Sequence, residues 1–132
     1  MSEVLASLAA ALALAAPVEA VTLHATGASR IGGRVVYRAA GTGTSVTVRL
    51  AGAPAGAAVR VLFQSGTCVR HGASFALAGR GRATADGGFG YRGSVLFHGR
   101  PVGIGVVADG RHIFTVVVNG RQAACARIPG MD

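Results

Sequence analysis

The chain has 132 residues, a length that fits one domain. Hydrophobic residues make up 51% and charged residues 14%, which excludes a charged disordered chain and a long charged helix or coiled coil. The charge is one-sided, because 13 Arg and no Lys face five acids (Glu3, Glu19, Asp86, Asp109 and Asp132), for a formal net charge of +8.

The N-terminal segment reads as an address. From Val4 to Ala16 the chain is almost wholly Leu, Ala and Val, and Pro17, Val18, Glu19 and Ala20 follow. A short apolar core with small residues at −3 and −1 has the shape of a secretory signal cleaved after Ala20. Met1-Ser2-Glu3 carries no Lys or Arg, where a signal wants positive charge. The alternative is an Ala/Leu-rich leader helix, for which both residues have high propensity. Residues 1–20 are therefore taken as a signal segment and 21–132 as a single β domain. Cleavage would remove Glu3 and Glu19 and leave a more basic chain. No apolar stretch reaches the ~20 residues of a membrane-spanning helix.

The body alternates at period two, the mark of half-buried strands. In chain order the predicted strands are Val21–Thr26, Arg34–Ala39, Val46–Leu50, Val59–Gln64, Phe89–Arg92, Val95–Phe97, Val102–Val107, His112–Val118 and Ala124–Ile128. The run His112–Val118 is β-branched and mostly apolar, which suits a central strand. Gly41-Thr42-Gly43, Ala53-Pro54-Ala55-Gly56, Asp86-Gly87 and Asp109-Gly110 punctuate the chain as turns, the last two by supplying the positive φ that tight turns require. Gly is 21 of 132 without a three-residue period, so it serves turns and not a collagen helix. About eight short strands with no helical period after residue 20 imply an antiparallel Greek-key sandwich or flattened barrel.

Cys68 and Cys125 are the chain's 2 cysteines. In an oxidising compartment a disulfide between them is the default expectation; two separate buried thiols are the alternative. A metal site built on two cysteines so far apart lacks a close ligand pair.

At this point the sequence resembles a family. Val46 to Gly56 (V-T-V-R-L-A-G-A-P-A-G), Gly66-Thr67-Cys68, Ala83-Thr84-Ala85-Asp86-Gly87, Val116-Val117-Val118-Asn119 and Ala124-Cys125-Ala126-Arg127-Ile128 resemble the copper/zinc superoxide dismutase sandwich and the related chordin-type (CHRD) domains. The resemblance runs from Val21 to Gly130. It implies a disulfide from the Gly-Thr-Cys loop to the last strand, matching Cys68–Cys125. It also implies copper ligands at an H-x-H pair before that loop and at the end of the V-V-V-H run. Those positions hold Leu62, Gln64 and Asn119, so the imidazoles are missing. Arg121 is the candidate counterpart, shifted by one, of the dismutase arginine before A-C. A binuclear site needs six His and an Asp, and the chain has 4 His. Leu and Asn do not replace imidazole on copper. The family site reads as lost, with His71 as its one candidate remnant and no cofactor expected; a rearranged copper/zinc dismutase-type oxidoreductase is the alternative.

His24, His71, His98 and His112 never pair at i, i+2 or i, i+4. No serine lies in a G-x-S-x-G elbow. Gly27–Gly33 lacks the Gly-Lys ending of a phosphate loop. Arg34, Arg38, Arg49, Arg60 and Arg92 mostly alternate with apolar strand residues, so they share outer faces that fit an anionic polymer or a cell-envelope component. A plain solvated face is the competing reading. Aromatics are 5% with no Trp, which gives base stacking little support and weighs against nucleic acid. The expectation is an exported, extracytoplasmic, non-catalytic dismutase-like sandwich that works as a binding or structural module; an Arg-rich polyanion-binding module is the second alternative.

Overall fold

The computed structural model describes residues 17–131; the Ala/Leu-rich stretch before them lies outside the described residues. Among the described residues, ten strands form in the order β1 (Glu19–Ala25), β2 (Gly32–Ala40), β3 (Gly43–Ala51), β4 (Ala58–Gly66), β5 (His71–Arg82), β6 (Phe89–Ser94), β7 (Leu96–Phe97), β8 (Arg100–Pro101), β9 (His112–Val118) and β10 (Arg121–Arg127). One helical turn, α1 (Ile104–Val107), separates β8 from β9.

All pairings are antiparallel, in the order β6-β3-β2-β1-β10-β9-β4-β5-β7-β8. Three strands run as a meander and β4 then crosses to the far half of the sheet. After the β4–β5 hairpin, β6 returns to pair with β3. Jumps of this kind give an all-β Greek key, and the sheet curls until it is nearly closed into a barrel.

The alternating pattern supplies the core. Val35 and Tyr37 of β2 and Val46, Val48 and Leu50 of β3 point inward to meet Val59, Val61 and Phe63 of β4 and Phe114 and Val116 of β9. Phe114 sits between Tyr37 and Phe63, with ring centroids 5.9 and 6.0 Å away. At full burial each such side chain stabilises the fold by about 1.5–3 kcal/mol.

Three sequence expectations change. β5 was not anticipated, because Gly72, Gly79 and Gly81 and its alanines give it poor strand propensity. The glycines have a packing reason. A Cβ on Gly79 would lie 2.8 Å from Tyr91 Cδ2, and one on Gly81 would lie 2.9 Å from Phe89 Cε1. Two aromatic rings of β6 thus rest on bare β5 backbone, and they close the barrel where no ladder joins the two strands. Val102–Val107, expected as a strand, instead ends in α1. Gly103 O accepts the Val106 and Val107 amides, and the fully buried Val107 joins the core. β1 begins at Glu19, which pairs with Tyr37, while Ala20 pairs with Val36; the ladder thus starts two residues ahead of Val21. Two of the ten strands, β7 and β8, have only two residues each, so the eight longer strands match the expected number.

Candidate functional site

Burial on β4 alternates as far as Val61 and then becomes continuous through Gln64. Val61 and Phe63 belong to the main core, whereas Leu62 and Gln64 face the other way. In the ladder Leu62 pairs with Thr115, which pairs with Cys125; Gln64 pairs with Ile113. These five side chains form a second buried layer on the outside of the barrel, with Leu62 5% exposed, Gln64 8%, Thr115 2%, Cys125 2% and Ile113 0%. The β4–β5 loop lies over them, held by the Cys68–Cys125 disulfide with Cα atoms 5.9 Å apart, inside the usual span for a bridge. Thr67 and Arg70 exchange backbone hydrogen bonds in that loop, and the His71 ring nitrogen Nε2 lies 3.2 Å from Cys68 O. His71 therefore fastens the disulfide loop to itself.

The positions that the resemblance would assign to copper ligands, Leu62 and Gln64 on β4 and Asn119 after β9, are not brought together. Leu62 and Gln64 lie under the disulfide loop. Asn119 sits in the β9–β10 hairpin with φ 50°, and its Oδ1 accepts the Ala58 amide at 3.0 Å. Ala58 and Leu62 are four residues apart on β4, about 13 Å at strand rise. The sequence Asn119-Gly120 is a two-residue hairpin signal, and that signal explains the Asn without reference to a metal. Leu62 has no donor. Gln64 offers only an amide, whose Nε2 donates to Gly72 O at 3.4 Å. These residues do not fit a copper ion, which prefers imidazole or sulfur. Among the described residues no three His, Cys, Asp or Glu side chains converge on one point. Arg121, the candidate counterpart of the dismutase arginine, is exposed at the start of β10 beside the Asn119–Gly120 turn, remote in the ladder from Leu62.

Seven of the arginines fall into two groups. Arg34 of β2 lies directly opposite Arg49 of β3, where Cβ atoms are about 4.5–5.5 Å apart. Arg92 of β6 pairs with Thr47, which places it diagonally from Arg49, and Arg38 lies four residues beyond Arg34 on β2, opposite Ser45. All four are exposed. Arg60 is on the other half of the sheet. It lies opposite Arg80, with its guanidinium 5.7 Å from the Phe75 ring centroid, and Arg82 is close by, opposite Ala58. Arg80 and Arg82 were missed because β5 was missed; nothing else in the sequence marked them. Like charges directly opposite one another destabilise a sheet. Among the described residues no arginine has a carboxylate within salt-bridge distance, the one ion pair being His112–Asp109.

Asp109 Oδ1 accepts the Arg111 amide and lies 2.8 Å from His112 Nδ1. Desolvation works to raise the Asp109 pKa, but the bonds from His112 and Arg111 outweigh it and hold the carboxyl below its ordinary value. Asp86 is lowered by bonds from the Thr84 hydroxyl and the Gly88 amide. Both acids brace turns. His24 and His98 are exposed, and His98 adopts φ 51° in the β7–β8 turn.

The fold and these clusters define a basic, disulfide-stapled Greek-key β-barrel. No protein-family model, curated protein or solved structure matches the chain.

Proposed function

We propose that the protein is an exported, non-catalytic, dismutase-like β-barrel that acts as a binding module for an anionic polymer of the cell envelope. The observation that carries the reading is the cross-strand pair Arg34–Arg49 with Arg92 beside it. Each guanidinium there repels its neighbour, and no described carboxylate neutralises them. A sulfated, phosphorylated or carboxylated chain laid across β2, β3 and β6 would relieve that repulsion by bidentate contacts. Export is supported by the disulfide, which persists in oxidising compartments, and by the apolar leader pattern. The dismutase likeness is supported by the disulfide joining the Gly-Thr-Cys loop to the last strand. The catalytic alternative is disfavoured by the separation of Leu62 and Gln64 from Asn119.

The test is retention of the purified protein on immobilised heparin across a salt gradient. Retention should fall steeply with salt. The double variant Arg34→Gln/Arg49→Gln should elute earlier and with a shallower salt slope. The variant Arg70→Gln/Arg111→Gln, which loses the same charge elsewhere, should change much less. Equal loss in both variants would reduce the effect to net charge, and elution of the parent protein in low-salt buffer would end the reading. N-terminal sequencing of protein recovered from the periplasm should begin at Val21; recovery of the whole chain from cytoplasm alone would refute export.

A further inference from the structure

The chain has 5 Phe, and three of them line one hollow. Its volume is about 400 Å³, within the range of about 300–1,000 Å³ found for small-molecule sites. It opens between the β4–β5 hairpin, the β7–β8 hairpin and α1. Its lining includes the buried Phe63, the exposed Phe75 and Phe97, and Val102 and Val106, the last from α1. Phe75, Phe97 and Val106 keep 44%, 42% and 50% of their surface exposed. Leu96, 38% exposed, extends the same apolar surface into a neighbouring hollow that shares Phe75 and Phe97. A small barrel that keeps most of its aliphatic residues inside, yet leaves these together at one mouth, has a surface that suits an apolar partner.

The polar groups in the hollow are few, as in ligand sites generally. Ser65 and His112 lie opposite each other in the β4–β9 ladder. The His112 ring stacks on Phe63 at 4.5 Å and is anchored through Nδ1 to Asp109, which leaves Nε2 as its remaining polar atom. Arg100, on β8 at the rim, is exposed and has no carboxylate partner among the described residues. Its guanidinium brings positive charge to an apolar cleft. The complementary ligand has one hydrocarbon chain and one anionic head.

We propose that this hollow binds a single medium-chain fatty acid, its chain against Phe63, Phe75 and Phe97 and its carboxylate on Arg100. The site goes beyond the polymer-binding face, shares no residue with Arg34, Arg49 or Arg92, and stands or falls separately.

The experiment is calorimetric titration of the disulfide-intact protein with dodecanoate below its micelle concentration, in parallel with dodecyltrimethylammonium. Saturable, one-to-one binding of dodecanoate is expected, with the cationic amphiphile at least tenfold weaker. Arg100→Gln should weaken dodecanoate binding about tenfold, a charge-assisted bond's worth, and leave the cation unaffected. Phe97→Ala should weaken both. Both side chains are exposed, so the variants should unfold at the parent midpoint and keep the parent's heparin retention. Absence of saturation, equal binding of the two amphiphiles, or an unchanged affinity in Arg100→Gln each overturns the proposal. So does sedimentation with anionic vesicles in the absence of any binding to monomeric dodecanoate, because the patch would then be a membrane-contact surface.

Discussion

Replacing Cys68 and Cys125 together by Ala tests how far this barrel depends on one covalent link. The bridge closes a loop of sequence separation 57. Chain-entropy reasoning for a loop of that size gives about 4 kcal/mol at 25 °C. Domains of this class have only about 5–15 kcal/mol in total, so the double variant should be folded but marginal. In urea, with a slope of about 1–2 kcal/mol/M, the midpoint should fall by about 2–4 M. The loss arises because the released unfolded chain gains freedom, so the slope itself should rise as that chain expands. Either single variant should lose nearly as much as the double, since both remove the same link. Urea unfolding followed by far-ultraviolet circular dichroism, with parent and variants at the same pH, measures midpoint and slope together. A midpoint shift under about 0.5 M with an unchanged slope would mean that the outer layer of Leu62, Ile113 and Thr115 is held down without the bridge, and the reasoning would fail.

Other perturbations separate further claims. Gly79→Ala should destabilise by about 1–3 kcal/mol, because its methyl group collides with Tyr91; Gly90→Ala, which meets nothing within 4 Å, should stay within about 0.5 kcal/mol of the parent in the same urea assay. Thr115→Val should raise stability by about 1 kcal/mol, since Thr115 Oγ1 is buried without a hydrogen-bond partner and valine fills the same shape; a lower midpoint would refute that. Asp109 and Asp86 both have lowered carboxyl pKa values. Their contribution is therefore present above the unfolded value of about 3.9 and lost as pH falls through the folded value. The urea midpoint should drop below about pH 4, and drop less in Asp109→Asn; equal acid sensitivity in parent and variant would refute the assignment.

What could be read from the sequence follows the physics of each segment. β3 and β4 announce themselves because Val46, Val48 and Leu50 and Val59, Val61 and Phe63 carry strong inward periodicity, and β9 because the run Ile113–Val118 is β-branched and mostly apolar, as suits a strand buried on both faces. β5 does not, because a strand that must lie beneath Tyr91 and Phe89 has traded side chains for glycine. α1 looks like a strand because a single helical turn is too short to show its period and Val102, Ile104, Val106 and Val107 have strand propensity. Pairing of Cys68 with Cys125 was legible from cysteine number and position. Asn119 was matched to a ligand position by sequence likeness, yet the Asn-Gly dipeptide itself carried the hairpin signal. The fatty-acid hollow was invisible, because Phe63, Phe75, Phe97 and Arg100 come from four strands that only the tertiary fold assembles.

One consequence of the strand order concerns the making of the protein. β10 is inserted between β1 and β9, so the first of the described strands waits for the last of them before its second edge is covered. A nascent chain stopped at Gly120 would display two unpaired rims, β1 and β9, each ready to recruit a neighbour. Covering both rims thus requires β10, and a product truncated before it should clump where the full chain stays dispersed.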